Sequence, residues 1–339
     1  TGDTLFLGDV GIPDVAQQYE ELSKENLAEM LFDSLRSKII PLNDNLIIYP
    51  GHGAGSACGK KMSKETVGNL GDQKRSNYAL RANMNKQEFI KEVLKDISPP
   101  PPYFIKNIMM NKTGYKELDL ILSEGNTPLT VKLFEELAQE KRSLVLDVRT
   151  QQEFIKGHIP GAIFIGLNGS FAPWVGALIS DIKQPIILVA PEGRSKEAVT
   201  RLARVGYENS LGYLEGGMTS WVKAGKTTSK IKSISAEEFE QKLKTNAIQV
   251  LDVRKDLEYN NEHLDGNNVH HMSLDSINKK IDKIENQINY HIYCGGGYRS
   301  VIAASILKAN GHNKIIDIAG GFAALKKTNL KMVSKLCNA

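Results

Sequence analysis

The chain has 339 residues, of which 41% are hydrophobic and 24% are charged, and its net charge is +4. These values are typical of a soluble globular protein with two or three domains. No apolar run approaches the roughly 20 residues of a membrane helix, and the N-terminus has no secretory signal, so we expect no membrane partner. The mild charge, with no aromatic residues interleaved among the lysines, argues against a nucleic-acid partner and leaves a slight preference for anionic substrates.

The first hundred residues differ in composition from the rest of the chain. Residues 1–14 predict a strand, a turn and the start of a helix, and residues 16–39 predict a helix. Residues 45–59 predict a strand that runs into a glycine-rich loop, and residues 85–97 predict a further helix. A proline run over residues 98–104 then ends regular structure.

Two loops that follow predicted strands in this segment deliver Asp9 and His52. A carboxylate and an imidazole suit zinc or non-haem iron. An iron site of the facial-triad type needs two histidines, however, and the next histidine is His158. The segment alone therefore cannot complete a metal site. Cys58 could face the same pocket and relay a persulfide, or it could be a small buried residue.

A sequence repeat fills the rest of the chain. Residues 143–162 match residues 248–267 without gaps, and LEGGMTSW (214–221) recurs as IAGGFAAL (318–325). Five residues recur 105 positions later; they are Asp147, Arg149, Glu153, His158 and Gly161, repeated as Asp252, Arg254, Glu258, His263 and Gly266. We interpret the Asp, Arg and His of both copies as structural residues that hold strand ends and loops.

Each copy has the same order of predicted elements. A helix precedes a strand that ends in LDVR, and a second aliphatic strand (PIILVA or YHIYC), a helix and a Gly-Gly turn follow. Alternating strands and helices predict a parallel sheet covered on both faces. The polar residues 224–235 read as a linker between the copies.

The loop CGGGYR combines one cysteine, three glycines and one arginine directly after a predicted strand. Cys294 should thus lie at the carboxyl end of a parallel sheet, where ligands bind. Glycines can aim backbone N–H groups inward, and a helix N-terminus and Arg299 add positive charge, all of which favour a thiolate beside an anion. The alternative is a buried structural cysteine. The three cysteines (58, 294 and 337) are scattered and form no CxxC pair, which indicates a reducing compartment such as the cytoplasm.

The repeated segment, the CGGGYR loop and the Gly-Gly turn resemble the rhodanese family of sulfurtransferases over about residues 127–339. The resemblance implies that Cys294 accepts a sulfane sulfur as a persulfide. Phosphatase and arsenate-reductase relatives use a loop one residue longer than the C-x4-R found here, because a phosphorus oxyanion needs a wider ring of amides. The predicted site residues are Cys294 and Arg299 for catalysis and Gly295, Gly296, Gly297, Tyr298 and Ser300 for substrate binding.

The first copy departs from this pattern. Ala190 stands in the place of the cysteine, and one residue fewer precedes Arg194. Pro191 has no N–H to donate, and Glu192 would bring negative charge into the loop. This copy resembles the inactive partner of tandem rhodaneses, with a role in packing, spacing or docking.

GDTLFLGDVGIPD (2–14) and YPGHGAGSACGKKMS (49–63) resemble the last two metal-site motifs of the metallo-β-lactamase superfamily. The persulfide dioxygenase branch, which is glyoxalase-II-like and often fused to rhodaneses, is the most similar. The resemblance implies Asp9 and His52 as ligands of Fe(II) or Zn in the intact domain. The upstream H-x-H-x-D-H motif of that family does not occur here, so we expect an incomplete site and no metal bound by this chain alone.

We therefore predict an α/β protein in three parts: a partial metallo-β-lactamase (αββα) domain over residues 1–125, an inactive rhodanese-like domain over 127–228 and an active one over 232–339. The expected function is sulfur transfer through Cys294 in a persulfide dioxygenase/rhodanese fusion of sulfide or persulfide metabolism. Expected partners are small anionic donors (thiosulfate or a low-molecular-weight persulfide) and a thiol, sulfite or cyanide acceptor, and a homo-oligomer is open. The alternatives are a non-catalytic binding or assembly module and a cysteine phosphatase or arsenate-reductase-like enzyme.

Overall fold

The computed structural model describes residues 2–13, 22–54, 56, 58–95, 97, 103–140, 142–245 and 248–334. Contacts divide the chain into two compact units, Thr1–Pro100 and Pro101–Ala339. The beginning of the helix predicted over residues 16–39, most of the proline run and Cys337 lie outside the described residues. Among the helices that are described, none has the length and apolar character needed to cross a bilayer.

The first unit combines helices with one small sheet. Its elements are α1 (Lys24–Ser34), β1 (Ile47–Ile48), β2 (Gly68–Asn69), α2 (Leu70–Ser76) and α3 (Lys86–Leu94). β1 and β2 pair antiparallel, and a core of apolar side chains from α1, α3 and the N-terminal segment lies beneath them. Side-chain caps begin both long helices: Ser23 forms a capping box with Asn26, and Asn85 forms one with Glu88.

The strands predicted in this unit are shorter in the structure. Residues 2–13, the described part of the first predicted segment, form an isolated antiparallel bridge between Leu5 and Val10 and no longer strand, and the strand predicted from residue 45 is limited to Ile47–Ile48. Leu5, Phe6 and Leu7 are all buried, so their run of apolar residues reflects burial in a turn and not strand pairing.

The second unit holds both copies of the repeat. It opens with α4 (Phe104–Thr113) and α5 (Leu118–Gly125). The first copy consists of β3 (Pro128–Leu129), α6 (Val131–Glu140), β4 (Leu144–Asp147), α7 (Gln151–Lys156), β5 (Ile163–Phe164), α8 (Phe171–Leu178), β6 (Ile186–Val189), α9 (Ser195–Ala203), β7 (Ser210–Leu214) and α10 (Gly217–Lys223). The second copy consists of β8 (Lys232–Ile234), α11 (Ala236–Thr245), β9 (Gln249–Asp252), α12 (Asp256–Asn261), β10 (Glu262–Leu264), β11 (Val269–His271), α13 (Ile277–Lys280), β12 (Tyr290–Tyr293), α14 (Tyr298–Ala309), β13 (Ile315–Ile318), α15 (Gly321–Leu325) and β14 (Met332–Ser334).

Each copy forms a five-stranded parallel sheet, as the repeat predicts. The strand order is β3-β7-β6-β4-β5 in the first copy. Read in the same direction, the second copy has the order β8-β13-β12-β9-β11, in which each strand is the counterpart of the one in the first copy. One hydrophobic core joins them, with side chains such as Phe164 and Leu188 from the first copy and Ile292 and Ile302 from the second. α14 is buried over most of its surface because both copies pack against it.

Two boundaries differ from those expected from the sequence. The first part was expected to end near residue 125, but α4 and α5 belong to the second unit, where α5 packs on α9 and β7 and buries Ile121 in the common core. The polar residues 224–235, expected as a linker, contain β8, which pairs with β13, and Ser229 forms a bridge with His158. Polar composition hid this strand because β8 is an edge strand with one buried residue.

The LDVR motif ends in a buried ion pair in both copies, in agreement with the structural role predicted for it. Arg149 donates from Nε and Nη2 to the Asp147 carboxylate at 2.6–3.1 Å, and Arg254 does the same to Asp252. Burial raises the pKa of Asp147, against the opposing effect of its arginine. Each histidine of the repeat donates from Nδ1 to the backbone carbonyl four residues earlier.

Candidate active site

Cys294 directly follows β12, which lies between β9 and β13 in the middle of the second sheet. Gly297 has a φ of 95° and is the N-cap residue of α14, a conformation that favours glycine. The carboxyl edge of a parallel sheet is where such folds bind ligands. The structure thus places the Cys294 thiol at this edge and at the N-terminal end of a helix.

The sulfur itself is enclosed, since 1% of the Cys294 residue is exposed. The N–H of Gly297 donates to Sγ at 3.1 Å, and Sγ lies 3.7 Å from Ser300 Oγ. The sequence predicts that the amides of residues 295–298 all surround the sulfur, but the hydrogen bonds of the described loop bring one of them to it. Gly296 is exposed and Gly295 is half-buried, so the open side of the loop lies at these two residues.

The Gly-Gly turn after β13 holds the cysteine loop in place. Phe322 N–H donates to the carbonyl of Cys294 at 2.6 Å, and Ala323 N–H donates to the carbonyl of Gly295 at 3.0 Å. Because a trans peptide aims its N–H opposite to its carbonyl, the N–H groups of Gly295 and Gly296 point away from α15. The turn therefore orients the loop amides, which explains why a Gly-Gly pair accompanies the cysteine loop.

Arg299 forms a bidentate ion pair with Glu258 of α12. Arg299 Nη1 and Nη2 donate to the two carboxylate oxygens at 2.6 and 2.7 Å. The hydrogen bonds from Arg299 lower the pKa of Glu258 despite the opposing effect of burial, and the same pair raises the pKa of Arg299. The carboxylate offsets the guanidinium charge, so the positive charge expected at the loop from Arg299 is partly neutralised.

A chain of polar side chains leads from the sulfur into the protein. Ser300 Oγ donates to Asp317 Oδ1 at 2.7 Å, and Ser233 Oγ donates to Asp317 Oδ2 at 2.8 Å. Asp317 is buried, and desolvation raises its pKa against the effect of the two hydroxyls. Sequence reasoning missed Asp317 and Ser233, because only the pairing register of β13 with β8 places them side by side.

The first copy contributes to the surroundings of this loop. The Tyr298 hydroxyl donates to the carbonyl of Gly166 at 2.8 Å, and its ring meets Phe164 edge-on. A Cβ at Gly169 would lie 2.2 Å from the Tyr298 ring, and a Cβ at Gly297 would lie 4.0 Å from Gln151 Nε2. Tyr298, which we predicted to bind substrate, thus joins the two copies through its side chain.

The corresponding loop of the first copy has no thiol. Ala190 follows β6, as Cys294 follows β12. The Arg194 guanidinium pairs with Glu197, and its Nη1 donates to Asn168 Oδ1. This arrangement agrees with an inactive first copy.

In the first unit the structure brings Asp3, His52 and Cys58 together. Asp3 Oδ1 lies 2.8 Å from His52 Nδ1, and one ligand atom of each of the three residues lies within 4.8 Å of the others. The loops meet there, since Gly51 N–H donates to the carbonyl of Gly2 at 3.0 Å. A carboxylate, an imidazole and a thiol fit zinc, but they do not fit an iron triad, which requires a second histidine.

Asp9 lies outside the cluster of Asp3, His52 and Cys58, and its role as a metal ligand stays a prediction. Asp9 is fully buried, with Oδ1 accepting from its neighbour Val10 N–H at 2.9 Å and Oδ2 accepting from Lys60 and Lys61 N–H at 2.5 Å each. Its carboxylate holds the loop that follows Cys58.

Comparison with known proteins decides the family of the second unit. The profile of the rhodanese-like domain matches residues 130–224 and 235–328. The chain belongs to the rhodanese family. Both copies of the repeat are thus rhodanese-like domains, as predicted, and together they make up more than half of the chain.

Individual relatives match shorter stretches. Thiosulfate sulfurtransferase GlpE of Shewanella oneidensis is 28% identical over 97 residues, which are 28% of this chain and 92% of that protein. Hydroxyacylglutathione hydrolase GloC of Haemophilus influenzae is 39% identical over 62 residues, 18% of this chain and 25% of that protein. A crystal structure of a metallo-β-lactamase from Staphylococcus aureus has 28% identity and a TM-score of 0.49, covering 63% of this chain and 56% of its own. The chain spans about half the length of the first curated relatives it matches.

Proposed function

We propose that this rhodanese is a sulfurtransferase that carries a sulfane sulfur as a persulfide on Cys294. The observation that carries the proposal is the position of Cys294, which heads a glycine loop at the carboxyl edge of the second sheet while Ala190 occupies that place in the first. The similarity to a thiosulfate sulfurtransferase over most of that protein's length supports the same reaction class.

The reaction proceeds in two displacements at sulfur. The Cys294 thiolate attacks the outer sulfur of thiosulfate, the donor S–S bond breaks, and sulfite leaves with the bonding electron pair. A thiol, sulfite or cyanide acceptor then attacks the outer sulfur of the persulfide, and the Cys294 thiolate returns. The Gly297 N–H, which donates to Sγ, and the amides of Gly295 and Gly296, on the open side of the loop, stabilise the sulfur anions.

Arg299 takes part in this reaction while its guanidinium is paired with Glu258. Its guanidinium lies beside the loop, since a Cβ at Gly295 would stand 2.9 Å from Arg299 Nη2. Because Glu258 offsets its charge, we expect it to fix the loop and favour a small anionic donor, with less net attraction than an unpaired arginine would provide.

We also propose that the first unit derives from a metallo-β-lactamase-like domain of a persulfide dioxygenase/rhodanese fusion in persulfide metabolism. Such a domain uses Fe(II) or Zn, and the predicted ligands in this chain are Asp9 and His52, with Asp3 and Cys58 beside His52. Because the described residues of this unit supply one histidine, they do not fit an iron centre, and we derive no reaction step through it. We expect elemental analysis of this chain to find less than stoichiometric iron.

A sulfurtransferase assay with thiosulfate and cyanide tests the proposal. We expect Cys294→Ser to abolish thiocyanate formation, while Cys58→Ser, which removes the other free thiol of the described residues, retains it. Equal rates for wild type and Cys294→Ser would instead support a binding or assembly module. Turnover of an aryl phosphate without sulfur transfer would support a cysteine phosphatase. A free catalytic thiol requires a reducing compartment, for which we propose the cytoplasm.

A further inference from the structure

Asp317 is a buried carboxylate next to the nucleophile that the sulfur-transfer steps do not use. Its residue is 1% exposed, and among the described residues it forms no salt bridge. Within the described part of the chain, its two oxygens accept hydrogen bonds from two hydroxyls, those of Ser300 and Ser233. Burying a carboxylate without a cation is costly, so the position calls for an explanation beyond packing.

The geometry links this carboxylate to the sulfur through one hydroxyl. Cys294 and Asp317 project from the same face of the sheet, and Ser300 in the first turn of α14 lies between them. Ser300 Oγ is 3.7 Å from Sγ and 2.7 Å from Asp317 Oδ1. Since Ser300 gives its own proton to the carboxylate, its oxygen presents lone pairs to the sulfur and can accept an S–H.

The other charged side chains near Cys294, Ser300 and Asp317 form ion pairs with each other. Arg299 at the loop pairs with Glu258 from α12, Arg254 pairs with Asp252 at the end of β9, and Lys326 after α15 pairs with Glu262. β8 faces Asp317 with the neutral Ser233. The sulfur therefore lies between a neutralised arginine and an uncompensated carboxylate.

The first copy lacks the carboxylate together with the cysteine. Ser195 follows Arg194 as Ser300 follows Arg299, so the hydroxyl is kept. Tyr213 occupies the place of Asp317, three residues before the Gly-Gly pair, and its register partner on β3 is Pro128 in the place of Ser233. A carboxylate needed only to hold this fold would be expected in both copies.

We propose that Asp317 is a positioning residue that acts through Ser300 to keep the resting Cys294 sulfur protonated and to favour the persulfide over the free thiolate. Two negative charges joined by a single hydroxyl repel each other, which disfavours a thiolate while Asp317 is ionised. In the persulfide the charge resides on the outer sulfur, about 2 Å farther from the carboxylate. The repulsion is weaker there, so Asp317 disfavours the persulfide anion less than it disfavours the free thiolate.

The loading step balances with Asp317 unchanged. The thiol and thiosulfate give the persulfide anion, sulfite and one proton: the S–H bond and the donor S–S bond break, and the Cys294 S–S bond forms. The proton leaves to water or to the released sulfite. This inference rests on the proposed role of Cys294, but its first test needs no sulfur donor.

The test is the pH profile of Cys294 alkylation by iodoacetamide, followed on the Cys294 peptide by mass spectrometry. We expect Asp317→Asn to shift the profile to lower pH and to make alkylation at neutral pH about tenfold faster, because a nearby like charge is removed. Ser233→Ala is the matched control: it removes a hydroxyl from the same carboxylate, keeps the charge, and should keep the wild-type profile. Ser300→Ala, which removes the acceptor of the S–H, should shift the profile in the same direction as Asp317→Asn.

A second readout has the same sign. At a fixed ratio of thiosulfate to sulfite, the fraction of persulfide should be higher in Asp317→Asn than in the wild type, because Asp317 repels the persulfide anion but not the neutral resting thiol. Alkylation at the wild-type rate in a folded Asp317→Asn protein would overturn the proposal in favour of a purely structural carboxylate. Slower alkylation would overturn it in favour of a proton acceptor. Absence of sulfur transfer by the wild type, with the alkylation shift intact, would refute the proposed function and leave this inference standing.

Discussion

Gly321 lies against Cys294 so closely that a Cβ at Gly321 would stand 2.3 Å from the Cys294 carbonyl oxygen. Gly217, its counterpart in the first copy, has the same φ of 56°, but a Cβ there would lie 3.9 Å from the carbonyl oxygen of Ala190. The two glycines share one backbone conformation and differ in the space beside them. The Gly-Gly turn is therefore under a tighter steric constraint in the copy that carries the cysteine.

This pair of glycines permits a matched comparison. Alanine imposes the same φ penalty at both positions, so Gly321→Ala should lose about 1–3 kcal/mol more of the free energy of unfolding than Gly217→Ala, through the added clash. It should also lose most of its sulfur transfer, because the clash displaces the cysteine loop. Denaturant unfolding and the thiosulfate assay measure the two effects. Equal activity in the two variants would show that the turn does not orient the loop.

The ion pair of Arg299 predicts that lysine cannot replace it. Lysine lacks the planar fork that donates to both oxygens of Glu258, so Arg299→Lys should slow transfer by about tenfold. This factor corresponds roughly to the free energy of one charge-assisted hydrogen bond. Arg194→Lys is the control, since Arg194 also pairs with a glutamate, Glu197, but in the copy without a thiol. Steady-state rates at several thiosulfate concentrations check this. An equal loss in both variants would point to a general effect on stability.

The Tyr298 hydroxyl predicts a contribution to the packing of the two copies. Tyr298→Phe removes its hydrogen bond to Gly166 and should lower the free energy of unfolding by about 1 kcal/mol. Tyr115→Phe, at a residue that is 67% exposed, should have no measurable effect. Urea unfolding compares the two, and a Tyr298→Phe protein as stable as the wild type would mean that this contact adds nothing.

Two buried histidines predict a loss of stability in mild acid. Burial lowers the pKa of His158 and of His291 to about 4 each, whereas an unfolded histidine titrates near 6.5. The unfolded chain thus takes up protons first as the pH falls, so the stability is fully present above about pH 6.5 and is lost toward pH 4. Each histidine accounts for up to about 3 kcal/mol of this loss.

Replacing one of these histidines should therefore flatten the pH dependence. Because burial also lowers the pKa of His312, we expect His291→Phe to remove about a third to a half of the slope of unfolding free energy between pH 6.5 and 4. His270→Gln, at an exposed histidine of β11 in the same sheet, should leave the slope unchanged. Urea titrations at several pH values give the slopes, and a steep wild-type slope in His291→Phe would assign the acid lability to other groups.

The parts of the fold that depend on long periodic segments could be predicted from the sequence. The repeat showed two parallel sheets, and Cys294 falls at the predicted strand end because a cysteine that follows YHIY must lie at the carboxyl edge. The partners of the site could not be predicted, because they depend on tertiary register. Asp317 meets Ser300 across a strand and a helix, and Glu258 reaches Arg299 from 41 positions earlier.

Local patterns failed where burial and pairing diverge. The apolar run before Asp9 looks like a strand but folds as a turn closed by a bridge between Leu5 and Val10. The polar residues around β8 look like a linker but supply an edge strand. In both cases hydropathy reported which side chains are buried and not which backbone groups pair.

The most direct test of the central claim is the intact mass of the protein after incubation with thiosulfate and removal of the excess donor. We predict a mass increase of one sulfur atom, located on the peptide that contains Cys294 and lost again on treatment with cyanide, with no increase in Cys294→Ser. An unchanged mass of the wild type, or a sulfur atom that is retained by Cys294→Ser, would contradict the account.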